Sequence, residues 1–181
     1  MQAERLERLA DELEAGARRL SCAPGQIVVP DTNVFLHFRR FDEIDWTRVL
    51  DAAPLRMVIP IRVVKELDDK KASRRNDLAE RARGVLVRLE SLVGPTAGAP
   101  TTLREHVTVE VLVGSEAGSD SRAPGTSADS EILDAAEYVA FLTSQPATVV
   151  TGDASMRLRA AARSLLVVSM PDELAIRPAT Q

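Results

Sequence analysis

The chain contains one cysteine, Cys22, and two histidines, His37 and His106, among 181 residues. A lone cysteine forms no intrachain disulfide, and this set is too small for a zinc site, so any bound metal must be held by oxygen. Aromatic residues supply only 3% of the chain, which leaves an aliphatic core of Val, Leu and Ala. No apolar run approaches the ~20 residues that span a bilayer. The opening segment MQAERLERLADELEAGARRL is charged throughout and lacks the apolar stretch of a signal peptide. A cytoplasmic protein without membrane contact is therefore expected. The net charge of −4 excludes nucleic-acid binding driven by bulk positive charge alone.

An apolar share of 45% with 28% charged residues fits one globular domain with appendages. High Ala and Arg usage points to a GC-rich bacterial genome. Leu6, Leu9, Leu13, Ala17 and Leu20 recur at helical spacing before Pro24 and Gly25, which predicts an N-terminal amphipathic helix within residues 1–24. That helix either packs on the domain, mediates association with another copy or a protein partner, or ends a linker. Residues 25–172 then alternate short apolar runs with helical stretches. Strands are expected at 26–30, 56–60, 106–113, 148–151 and 165–168. Helices are expected at 34–40, 46–53, 61–71, 77–93, 129–142 and 154–162. Nearly continuous apolar strands separated by helices predict an α/β fold with a central parallel sheet covered on both faces. The Gly/Ser/Pro-rich stretch 114–127 reads as a flexible loop, either gating a site or forming a plain surface insertion, and 173–181 as a C-terminal tail.

Four acids stand at places that a parallel sheet would make neighbours. Asp31 follows the first strand in VVPDTNVFL, and Asp153 follows a later one in VVTGDASMRL. Both are thereby expected at the carboxyl edge, where such folds bind ligands. Asp129 opens a helix whose core stripe runs through Ile132, Leu133, Ala136 and Ala140, and Glu66 lies about two turns past the second strand. Each has a plainer role available: Asp caps helices, and a Glu on a charged helix is commonplace. As a set, carboxylates gathered this closely repel one another unless a hard cation neutralises them, which suits Mg²⁺. A metal-activated water and a metal-stabilised leaving oxygen then give phosphodiester hydrolysis. Lys65, Lys70, Lys71, Arg74, Arg75, Arg81 and Arg83 form a dense basic stretch beside Glu66. It is either a solvated helix surface or a track for a nucleic-acid backbone.

In the segments IVVPDTNVFL, IPIRVVKEL, SADSEILDAAEYV and TVVTGDASMRLRA, and in their order across residues 26–170, the chain resembles the PIN-domain nuclease family. The resemblance implies a three-layer α/β/α fold, Mg²⁺ or Mn²⁺ as cofactor, and cleavage of single-stranded RNA. It places Asp31, Glu66, Asp129 and Asp153 at the family's acidic positions, with Asn33 and Thr151 as supporting polar groups. Lys65, Lys70, Lys71, Arg74 and Arg75 would meet the RNA. Pro30 departs from the usual aliphatic residue before the first Asp and removes one strand N–H. The long segment before Asp129 is unlike the compact toxins of toxin–antitoxin pairs. Two other readings are kept: a non-catalytic RNA- or protein-binding module, and a phosphatase of the haloacid dehalogenase class. The latter needs a second Asp where Asn33 stands.

Overall fold

The computed structural model describes residues 2–21, 23–96, 99–113 and 127–176. The expected loop 114–127, apart from Ser127, and residues 177–181 of the expected tail lie outside these. Helix α1 (Gln2–Ser21) leads into β1 (Gln26–Pro30), α2 (Thr32–His37), α3 (Trp46–Leu50), β2 (Leu55–Pro60), α4 (Ile61–Lys70) and α5 (Asn76–Val93). There follow β3 (Thr101–Arg104), β4 (Val107–Leu112), α6 (Ala128–Thr143), β5 (Ala147–Thr151), α7 (Ala154–Ala162), β6 (Leu166–Ser169) and a 3-10 turn at Asp172–Leu174.

The strands form one sheet in the order β3-β4-β2-β1-β5-β6, parallel except at β3, which runs antiparallel to β4. Every residue of β2 and β5 is buried, as expected of strands covered on both faces. From β1 the chain steps one way to β2 and β4, then crosses back to β5 and β6. Right-handed crossovers consequently put α2 to α5 on one face and α6 and α7 on the other, giving three layers. The direction reverses between β1 and β5, and the crevice at their carboxyl ends is where such sheets take ligands.

The proline before Asp31 is accommodated by this pairing. Asp31 N–H donates to the Val150 carbonyl at 3.0 Å, so alternation directs the backbone nitrogen of Pro30 toward β2. Pairing with β2 has already ended at Val28, and the missing donor interrupts no ladder.

Some boundaries differ from the sequence reading. β3 was not expected: of Thr101–Arg104 only Leu103 is buried, so this margin strand carries almost no alternation. Helix α2 starts at Thr32 and stops at His37, because Phe38 becomes extended and bridges Ala175. Helix α3 ends at Leu50, where Asp51 adopts a left-handed conformation (φ 48°).

Among the described residues of the α1 stripe, those toward the C-terminal end are covered. Leu20 is buried, and a Cβ at Gly16 would lie 3.1 Å from Leu142 on α6, whereas Leu6 and Leu13 stay exposed. The anchor is charged and buried. Arg56 on β2 pairs with Glu110 on β4, and its guanidinium also donates to the carbonyls of Leu20, Ala23 and Arg19, the last two at 3.3 and 3.4 Å. A cation thereby closes the carbonyl end of α1, where the helix dipole favours it. Removing one partner of such a pair strands the other charge in the core. Arg56→Met is expected to cost about 3–5 kcal/mol of stability and to release α1 to proteolysis. Arg56→Met with Glu110→Leu should recover most of that loss in denaturant titration; a double variant as unstable as the single one would contradict this account.

Candidate metal centre

Pairing of β1 with β5 aligns Pro30 with Val150, so the next residues, Asp31 and Thr151, become neighbours at the sheet edge. Asp31 Oδ1 accepts the Val34 N–H at 3.0 Å and so caps α2, while Oδ2 accepts the Thr151 hydroxyl. Thr151 Oγ1 in turn accepts the Asp153 N–H at 2.9 Å, and one hydroxyl ties the two acidic positions together. Gly152 between them lets the Phe38 ring approach closely, since a Cβ there would meet the ring at 2.8 Å and force it to shift. Asp153 caps α7, its Oδ1 accepting from Ser155 N–H at 2.7 Å. Each cap uses one carboxylate oxygen, Oδ1 in both residues.

Asp31 is only 3% exposed. Burial raises its carboxyl from 3.8 to about 6, and the Asp153 and Asp129 charges push the same way, against the hydrogen bonds from Thr151 and Val34. The charges of two other candidate acids thus act at the Asp31 carboxylate. Asp129 is not a cap; Ser127 is, accepting from Ser130 N–H. Asp129 lies instead in the first turn of α6, half-exposed, with its Oδ2 2.9 Å from Arg159 of α7. Glu66 accepts the Thr32 hydroxyl and lies 3.7 Å from Arg62, which is also 3.7 Å from Glu131.

Among the described residues, no three carboxylate, thiol or imidazole side chains are gathered closely enough to hold an ion as they stand. The donor types and their placement at one edge fit a hard cation, but Asp129 and Glu66 are turned toward arginines. Sequence reasoning missed Arg62, Glu131 and Arg159, whose significance comes only from α4, α6 and α7 meeting at the edge. It also assigned a supporting role to Asn33. Among the described residues Asn33 makes no side-chain hydrogen bond, and Thr32, one position earlier, supports Glu66 instead.

The basic stretch divides by partner. Arg81 donates to the Leu36 and Phe38 carbonyls at 3.1 and 3.2 Å, closing α2, and Arg83 donates to the Lys71 carbonyl at 3.2 Å. Lys71 pairs with Asp68 at 2.5 Å and Arg75 with Asp77 at 3.1 Å. Lys65, Lys70 and Arg74 are exposed. His37, at the far end of α2, has its imidazole shifted down, first by burial and then by Arg75, Arg81 and Lys70. A cationic cluster therefore lies about 9 Å along α2 from the cap at Asp31, the length of that helix.

The family model for the PIN domain matches residues 28–171. No curated protein matches the chain by sequence. Among solved structures, a domain of a functionally unknown protein from Methanocaldococcus jannaschii DSM 2661 superposes with a TM-score of 0.50 at 17% identity. The match covers 87% of this chain and 97% of that one, and it supports the fold alone. The chain belongs to the PIN-domain family, whose members are generally metal-dependent nucleases.

Proposed function

We propose that the chain is a Mg²⁺- or Mn²⁺-dependent endoribonuclease acting on single-stranded RNA in the cytoplasm. The observation that carries this reading is Asp31, a buried carboxylate at the sheet's reversal point, raised to about 6 by burial with Asp153 and Asp129 adding to the effect. A protein gains nothing in stability from such an arrangement, and a cation relieves it. Asp31, Asp129, Asp153 and Glu66 are the residues that would hold the ion. When bound, a divalent ion supplies an acidified water and charge stabilisation for the leaving oxygen. The Thr151 hydroxyl keeps Asp31 oriented, and the Thr32 hydroxyl does the same for Glu66. Lys65, Lys70, Lys71, Arg74 and Arg75, with His37 among them, offer a track for the phosphate backbone.

A second reading, a non-catalytic RNA- or protein-binding module, draws support from the ion pairs that occupy Asp129 and Glu66. Cleavage assays separate the two. Asp31→Asn and Asp129→Asn are each expected to lower Mn²⁺-dependent cleavage of a single-stranded oligoribonucleotide by about a hundredfold or more while the fold survives. Cleavage that persists in both variants would exclude the four-acid site.

Stability against pH tests the strain at Asp31 directly. Its folded-state value of about 6 lies above the 3.8 of the free side chain. The contribution of Asp31 to stability is therefore full below pH 3.8 and is lost as pH rises through about 6. Without added metal, Asp31→Asn should exceed the native chain in stability by about 3 kcal/mol at pH 8, with the gap closing toward pH 4. Added Mn²⁺ should stabilise the native chain and leave the variant unmoved. An Asn variant that is less stable at pH 8 would count against a strained carboxylate.

The RNA track is tested by salt. Reversing Arg74 and Arg75 to Glu should weaken oligonucleotide binding and reduce the dependence of log affinity on log salt by about 0.7 for each lost phosphate contact. Equal affinity at low salt would remove these residues from the track.

A further inference from the structure

Arg159 makes the most directed set of contacts at the sheet edge. One guanidinium nitrogen donates to Asp129 Oδ2 at 2.9 Å, and another donates to Ser127 Oγ at 2.9 Å and Ser130 Oγ at 2.5 Å. The arginine comes from α7, the helix capped by Asp153, and it grips the head of α6, the helix that carries Asp129. A fork-shaped cation thus stands between the helices of two candidate ligands and occupies the carboxylate of one. One turn further along the same helix pair, Arg163 bridges Asp134 and Glu137 at 2.5 and 3.3 Å. That second bridge also ties α6 to α7, so the contact at Asp129 is not the sole link between the two helices.

We propose that Arg159 is a built-in competitor for the cation: it neutralises Asp129 in the metal-free protein, and a divalent ion displaces it onto a substrate phosphate. The inference rests on the metal-dependent nuclease reading and adds a substrate-contacting residue to it. Two physical features favour the exchange. The pair is half-open to solvent, with side-chain exposures of 36% for Arg159 and 46% for Asp129, and ion pairs so exposed are weak enough to be replaced. A guanidinium freed at this edge is planar, permanently charged and matched to two phosphate oxygens at once. The contacts with Ser127 and Ser130 hold it close to the crevice until an anion arrives. The exchange also accounts for the dispersed carboxylates, since an acid engaged by an internal cation cannot turn toward its neighbours.

The test uses the full chain and Mn²⁺ alone, titrated by electron paramagnetic resonance of the free ion. If the arginine engages Asp129 about four-fifths of the time, apparent affinity is reduced about fivefold, and Arg159→Gln should recover that factor. Arg163→Gln, which removes an equal charge from the neighbouring bridge, should change affinity by less than about twofold. Arg159→Lys, which keeps the charge without the fork, guards against a misfolded Gln variant and should fall between the two. In a second measurement at saturating Mn²⁺, an oligoribonucleotide protected by 2′-O-methyl groups should bind Arg159→Gln more weakly than the native chain. Equal Mn²⁺ affinity in Arg159→Gln and the native chain overturns the proposal. Tighter Mn²⁺ binding with unchanged oligonucleotide affinity overturns the phosphate contact. Failure of the native chain to bind Mn²⁺ overturns the nuclease reading and this inference with it.

Discussion

The parallel pairing of β1 with β5 is the constraint on which the rest of the site depends. Its register puts Asp31 beside Thr151, and the Thr151 hydroxyl then links Asp31 to the backbone of Asp153. The pairing is itself held by aliphatic packing, with Val28, Val29, Val149 and Val150 all buried. A slip of one residue would exchange the faces on which those side chains pack and break their fit to the helices on both sides. Hydrophobic burial in the middle of the sheet thus fixes, at its edge, an acid that would otherwise be ionised in water. The cost falls on Asp31, whose charged form is disfavoured, and strain of this kind is characteristic of sites that bind something.

Charge is handled in two ways. In the core, the Arg56–Glu110 pair is enclosed and closes the end of α1, a structural use in which neither partner is free to exchange. At the sheet edge the Arg159–Asp129 pair is half-exposed, and Arg62 between Glu66 and Glu131 is less so. Solvent-exposed pairs are weak and exchangeable; enclosed ones are not. The same residue types are therefore enclosed in one layer and in reach of solvent in another.

Much of this was legible in the sequence. The runs QIVVP and ATVVT carry strand signals that survive any context, and the acids after them are placed by topology alone. The boundaries of α2 and α3 were less legible, because Phe38 and Asp51 end those helices through backbone conformations that no spacing announces. β3 left almost no trace, with a single buried side chain. The larger gap concerns partners. Arg62, Arg159 and Glu131 look like ordinary helix-surface charges, and only the meeting of α4, α6 and α7 gives them meaning. Likewise the basic stretch reads as uniform in sequence, whereas in the fold Arg81 and Arg83 bond to backbone carbonyls and Lys65, Lys70 and Arg74 face solvent.

PIN-domain membership and a strained carboxylate at the crevice lead to one central claim, that this edge of the sheet is built to take a divalent ion. The most direct measurement is anomalous diffraction at the manganese edge from crystals of the chain grown with Mn²⁺. The account predicts an anomalous peak bonded to Asp31, with the Asp129 carboxylate turned away from Arg159 to meet it. A well-ordered edge with no peak, or with manganese bound only at distant surface acids, would contradict it.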